Sequence, residues 1–153
     1  MIGYSKKMLE TIGWREWIGL PELGVTQIKV KVDTGARTSA LHVTNLELST
    51  KGKKTVAHFK IHPNQDISKP VVNGKAEVVE FRKIKSSSGH VTTRPVIMTE
   101  IKLGQHCWTA EITSVHRELM GFRMWLGREA VRNRFLVNPG RSFLIGKKKI
   151  RKK

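Results

Sequence analysis

The residue of this chain best placed to do chemistry is a carboxylate at the end of an alternating run. Asp33 opens the turn Asp33-Thr34-Gly35-Ala36. A glycine at that place lets the backbone turn and lets another group come close, the Thr34 hydroxyl can bond neighbouring backbone, and the carboxylate projects outward. An acid presented in this way suits the activation of a water for attack on a polar bond. Two such acids about 3 Å apart cannot both ionise, so one serves as base and the other as acid. The sequence holds a single tripeptide of this kind, and its only other aspartate, Asp66, lies in a polar loop without a glycine turn behind it. Either a symmetric dimer contributes Asp33 from each chain, or the chemistry is different.

The element that must deliver Asp33 is the run Val25 to Val32. Thr26, Ile28, Val30 and Val32 fall on one side and Gln27, Lys29 and Lys31 on the other, the period-two signature of a half-buried strand. Strand-like runs follow at Thr38 to Leu48 and at Val56 to His62, around a turn at Ser49 to Lys54. Pro63 to Gly74 reads as loop, and Lys75 to Lys85 and Val91 to Leu103 as strands flanking Ser86-Ser87-Ser88-Gly89. The chain turns again at Leu103-Gly104-Gln105 into a strand from His106 to His116, where Trp108, Ala110 and Ile112 alternate with polar residues. Phe122 to Gly127 reads as a buried strand, Gly127 to Arg134 as the one short helix, and Phe135 to Val137 and Ser142 to Ile145 as closing strands around Asn138-Pro139-Gly140. Many short strands and one short helix predict an all-β, closed or nearly closed barrel.

Composition sets the class. The 153 residues make one domain of ordinary size, 39% hydrophobic and 27% charged. No apolar run approaches the roughly 20 residues needed to span a bilayer, and Met1 to Glu10 lacks the apolar core of a secretory signal, so the expected location is cytoplasmic, with no membrane partner. The single cysteine, Cys107, sits in a strand-like run and is expected to be a buried, inert thiol. Charge is the second strong signal, at a formal +17. The segment Lys147 to Lys153, read as a basic disordered tail, holds six cations, and removing those from +17 leaves +11 on residues 1–146. A field of that sign favours polyanionic partners, whether nucleic acid, ribosome or acidic peptide.

Secondary candidates surround the turn. Arg37, Arg82 and Arg94 carry the guanidinium fork that matches a carboxylate, with solvated strand edges as the plain alternative. His42 closes the motif and is read as a hydrogen-bonded structural histidine or a substrate contact. Trp14, Trp17, Trp108 and Trp125 do not interleave with basic residues in the sequence and are read as core or dimer-face aromatics. There is no Gly-x-x-x-x-Gly-Lys-Ser/Thr phosphate loop and no His-Glu-x-x-His, and the six histidines are scattered, so no cofactor and no metal is expected.

The decamer Asp33-Thr34-Gly35-Ala36-Arg37-Thr38-Ser39-Ala40-Leu41-His42, with Trp125-Leu126-Gly127-Arg128-Glu129-Ala130-Val131 downstream, resembles the retropepsin-like pattern of a catalytic loop and a later hydrophobic-hydrophobic-Gly-Arg segment opening a short helix. Including Phe135 to Phe143, the chain is similar over roughly Thr11 to Ile145 to the RimB-like retropepsin-type proteins, a bacterial family labelled ATP-dependent zinc protease. The resemblance implies the acid-protease barrel and an obligate homodimer with the active site on its two-fold axis. It implies Asp33 as the catalytic carboxylate, Thr34, Gly35 and Ala36 as the loop that shapes the site, and Gly127 and Arg128 as the support beneath. A flap is expected, supplied by the hairpin tip at Ser88 and Gly89 or by the loop from Pro63 to Gly74. Family members are linked to an ATP-grasp ligase that adds glutamates to a ribosomal protein, which implies that ligase as partner and glutamate-rich peptide, or the glutamylated ribosomal protein, as substrate. A non-catalytic basic barrel that binds RNA or the ribosome, or that regulates a partner ligase, is the rival reading.

Overall fold

The computed structural model describes residues 8–64, 69–85, 88–116, 119 and 121–148. Asp66, Ser86, Ser87 and tail residues 149–153 lie outside the described residues. Ten strands and one helical turn follow in the order β1 (Glu10–Gly13), β2 (Arg15–Leu20), β3 (Val25–Asp33), β4 (Ser39–Lys51), β5 (Lys54–Ile61), β6 (Val72–Lys85), β7 (Val91–Leu103), β8 (His106–Val115), β9 (Met124–Gly127), α1 (Arg128–Val131) and β10 (Phe135–Asn138). A 3₁₀ turn at Pro21–Leu23 links β2 to β3. Among the described residues no helix is long and apolar enough to cross a membrane.

Hydrogen bonding closes the sheet. β2 pairs with β3, β3 with β9, β9 with β4, β4 with β8, β8 with β7, and β7 returns to β2. The outer halves of β4 and β7 are bridged by β5 and β6, which close a second ring against the first. Closure satisfies the strand edges that an open sheet would leave unpaired. Ile18, Leu20, Ile28, Val30, Leu41, Ile112, Met124 and Leu126 all fall at 2% exposure or less and fill the interior. β3 behaves as its alternation demands, with Ile28, Val30 and Val32 inside and Lys29, Lys31 and Asp33 half-exposed. Thr26 is exposed and Val25 is buried in its place.

Several boundaries differ from the sequence reading, each for a local reason. The loop ending at Gly74 gives way to strand from Val72, where Gly74 lies under the Phe59 ring so closely that a Cβ would sit 2.7 Å from it. β4 and β5 run on to a turn at Gly52 and Lys53. Cys107 is exposed, not buried, because its side of β8 faces out. Its thiol donates to Glu100 Oε2 at 3.0 Å, and that bond, with desolvation and the Glu100 charge behind it, holds the thiol above its ordinary range.

The expected strand at Ser142 to Ile145 does not form: Phe143 N–H donates to the Arg15 carbonyl at 3.0 Å, and the donors of Leu144 and Ile145 are spent on a side chain. Glu16, on β2, is fully buried. Its Oε2 accepts the N–H groups of Gly13 at 2.6 Å and Leu144 at 2.9 Å, and its Oε1 those of Ile145 at 3.2 Å and Gly146 at 2.7 Å. The carboxylate thereby supplies the acceptors that a neighbouring strand would otherwise offer Leu144 and Ile145. Gly146 packs so tightly on β2 that a Cβ would lie 2.1 Å from the Trp17 carbonyl oxygen. Replacing Glu16 by Ala strands four N–H groups, two of them buried (Gly13 and Gly146) and two part-buried (Leu144 and Ile145), and a buried one costs about 1–3 kcal/mol when left unpaired. Because such costs are not additive, the expected loss is about 3–5 kcal/mol in urea unfolding. Unfolding of Glu16→Ala within about 1 kcal/mol of wild type would contradict this role.

Candidate active site

Asp33 ends β3 where that strand is held on both sides. Arg15 stands opposite Lys31 on β2, and Asp33 itself is in register with Gly127 on β9. The chain then leaves the sheet: Ala36 N–H returns to the Asp33 carbonyl at 3.2 Å, and Gly35 N–H donates to Asp33 Oδ1 at 3.0 Å. This Asx-type turn fixes the carboxylate from its own loop. Thr34 and Gly35 are exposed and Asp33 is half-buried. Gly35 is not among the residues with positive φ, so the turn draws on its N–H and not on a left-handed backbone.

β9 and α1 support the loop from beneath. The N–H groups of Arg128 and Glu129 donate to the carbonyls of Ala36 at 2.7 Å and Arg37 at 3.0 Å, and the Arg128 guanidinium donates to the Thr34 carbonyl at 3.1 Å. Loop carbonyls thus occupy the free amides that begin α1, which has no side-chain cap. The approach is possible because residue 127 is glycine: a Cβ there would meet the Thr38 carbonyl carbon at 2.6 Å and Ser39 N at 2.8 Å. Gly127 N–H donates to the buried Ser39 Oγ at 2.9 Å, and Thr113 Oγ1 donates to the Ser39 carbonyl at 3.2 Å. Ser39 is not singled out by the sequence; its place within the motif at the start of β4, against a glycine that must be small, is the signal that points to it.

The other sequence candidates divide. Arg37 is exposed beside the loop, with a loose 3.9 Å ion pair to Glu129. Arg82 reaches the loop but its donors are committed, to Thr38 Oγ1 at 2.9 Å, to Glu111 at 2.9 Å and to Glu80. The Glu111 hydrogen bond, followed by the opposing cost of burial and then the contacts to Glu80, leaves Arg82 with a net raised proton affinity. Its position is that of a brace between the β6–β7 hairpin and the loop. Arg94 is in register with Arg82 on β7 and half-buried. His42 is 7% exposed, its ring 6.3 Å from that of His62 on the β4–β5 side. Ser88 and Gly89 form the exposed tip of the β6–β7 hairpin, with Gly89 at φ 87°. Val79, Phe81 and Val91 stand exposed on that hairpin.

Tryptophans and cations interleave in space, where the sequence shows only Trp14 and Arg15 side by side. Arg15 lies over Trp14 at 4.7 Å, Lys29 over Trp17 at 6.0 Å, Lys31 over Trp125 at 5.8 Å and Arg134 over Trp108 at 5.6 Å. Register on neighbouring strands produces two of these pairs, since Trp17 stands opposite Lys29 and Lys31 opposite Trp125. Neither of two described pockets borders Asp33: one of about 10 Å³ lies among Leu41, Phe59 and Ile112 in the second ring, and a groove of about 220 Å³ lies beside Trp17 and Lys102.

Residues 11–148 match the family described as RimB-like, retropepsin-like aspartic endopeptidase RimB. A Shewanella halifaxensis protein named "Probable alpha-L-glutamate ligase" is 43% identical over 135 residues, which are 88% of this chain and 30% of that protein. A Desulfotalea psychrophila protein of the same name is 40% identical over 135 residues, 88% of this chain and 29% of that protein. The chain therefore spans under a third of the length of these relatives. Among solved structures, a Legionella pneumophila protein of unknown function is similar with a TM-score of 0.72 at 23% identity, covering 89% of this chain and 98% of that one. That likeness establishes the fold.

Removing the Ser39 hydroxyl leaves the buried Gly127 N–H without its acceptor. Ser39→Ala is therefore expected to cost about 1–3 kcal/mol in urea unfolding, and Gly127→Ala more, because the backbone of Thr38 and Ser39 must move. Wild-type stability in both variants would contradict the support described for the loop.

Proposed function

The chain belongs to the RimB-like family of retropepsin-like aspartic endopeptidases, and from that premise we propose that it is an aspartic peptidase working as a homodimer, with an Asp33 from each copy meeting across the two-fold axis. The observation that carries the reading is the presentation of Asp33: a half-buried carboxylate, hydrogen-bonded within its own turn, on a loop whose carbonyls at Thr34, Ala36 and Arg37 are tied to β9 and α1. A loop held so firmly keeps its carboxylate in place without help from substrate. One Asp33 takes a proton from water as the oxygen attacks the peptide carbonyl. The other gives its proton to the carbonyl oxygen, and the resulting diol collapses with proton transfer to the leaving nitrogen. No covalent enzyme intermediate forms.

The substrate class is acidic peptide, rich in glutamate. The formal +17 supports it, as do relatives named probable alpha-L-glutamate ligases in which the matching part is under a third of the protein. A peptidase that trims glutamate tails, on a ribosomal protein or another acceptor, would act on what such a ligase makes. The β6–β7 hairpin is the flap in this reading, because Arg82, three residues from the end of β6, joins it to Thr38 and its tip at Ser88 and Gly89 is exposed. The ligase-named relatives also support a second reading, in which the barrel regulates a ligase by contact and cleaves nothing.

Incubation with a glutamate-tailed peptide separates these readings. The wild-type protein is expected to shorten the tail equally with chelator and without ATP, and Asp33→Asn to lose about a thousandfold in turnover while keeping its fold. Turnover that survives Asp33→Asn, or that chelator abolishes, overturns the peptidase reading. An effect on ligase rate that Asp33→Asn leaves intact favours the regulator.

A further inference from the structure

Cations held against aromatic rings lead along the outer face of the barrel to Asp33. Along β3 the side chains of Lys29, Lys31 and Asp33 share the outward face, since Val30 and Val32 point into the core. Arg15 stands beside Lys31 in register on β2, and Trp125 beside it on β9. Each cation has a ring under it. The Lys31 ammonium is 5.8 Å from the Trp125 centroid, and that of Lys29 is 5.5 Å from Phe122 and 6.0 Å from Trp17. The Arg15 guanidinium lies 4.7 Å from Trp14 and 4.9 Å from Phe143, with its Nε donating to Ser142 Oγ at 3.1 Å.

We propose that this ladder is the binding track for the acidic segment of the substrate. Lys31 receives the side-chain carboxylate nearest the bond addressed by Asp33, and Lys29 and Arg15 receive those beyond it. The inference rests on Asp33 being the peptidase acid, and it names the residues that give that site its substrate class. Two physical arguments support it. Rings beneath the cations restrict their long stems, so less side-chain freedom is lost when a carboxylate arrives. Spacing also matches: alternate residues of a strand repeat every 6.6–6.8 Å or so, and an extended glutamate tail offers same-side carboxylates at the same repeat. Nucleic acid fits this face less well, because its charges follow the backbone at about 3.4 Å per strand in a duplex. The rings of Trp17 and Trp125 also already carry ammonium groups where a base would stack.

Binding measured on an Asp33→Asn background tests the track apart from turnover. Fluorescence anisotropy with labelled octaglutamate, and with an oligouridylate of equal charge, reads affinity at low salt. Lys29→Met and Lys31→Met together keep the apolar stems on their rings while removing the charges, and the paired change is expected to weaken octaglutamate about tenfold. Lys75→Glu, on the exposed part of β6, serves as the control and is expected to weaken it less than about twofold. Equal losses from Lys75→Glu and the paired change, no loss from the paired change in a protein of unchanged circular dichroism, or a larger loss for oligouridylate than for octaglutamate would each overturn the track. Track-dependent binding in a wild-type protein that cleaves no glutamate tail would overturn the peptidase reading while the carboxylate track stands.

Discussion

β9 fits between β3 and β4 because residue 127 has no side chain. That strand is parallel to β3 and antiparallel to β4, and it brings the start of one and the end of the other within hydrogen-bond range of the same short helix. Any Cβ at 127 would push into the backbone of Thr38 and Ser39. With the approach made, the Ser39 hydroxyl accepts the Gly127 amide, the first amides of α1 find loop carbonyls, and Asp33 is left at the rim with its own turn closed behind it. Arg82 then ties the long β6–β7 hairpin to Thr38. Loss of this single close approach would release loop and helix together.

Charge is distributed according to the same geometry. The one fully buried carboxylate, among the described residues, is Glu16, and it faces four backbone amides and no cation. Cations sit on the outer face of the barrel, several of them over aromatic rings that shield their stems. A chain at +17 gains nothing for folding from mutual repulsion, and Lys29, Lys31 and Arg15 add to that repulsion along β3 and β2.

Much of this was legible in the residues. The alternation from Val25 to Val32 predicts β3 and the outward face of Asp33, and Ala57, Phe59 and Ile61 predict the buried side of β5. Gly127 and Arg128, carried over from a family resemblance, stand against the loop, although nothing in their own spacing says so. Other features depend on register, which a linear reading does not contain. Lys31 and Trp125 are ninety-odd positions apart in the chain and become neighbours only when β3 pairs with β9. Glu16 looks like any charged residue of a strand until residues 144–146 are folded over it, and the same fold turns an expected strand at Ser142 to Ile145 into an irregular segment. Cys107 is exposed where a buried thiol is expected, because Ala110 and Ile112, which are buried, lie on the opposite face of β8 and leave it with Thr109 and Glu111.

The central claim is that one site is built from two copies of Asp33, and mixing measures it directly. Wild-type and Asp33→Asn chains are unfolded together in equal amounts, refolded so that subunits redistribute, and assayed on a glutamate-tailed peptide. A site that needs both carboxylates predicts about a quarter of wild-type activity for the same total protein, because only that share of dimers carries two wild-type chains. Activity of about one half would mean that each chain works alone, and would contradict the account.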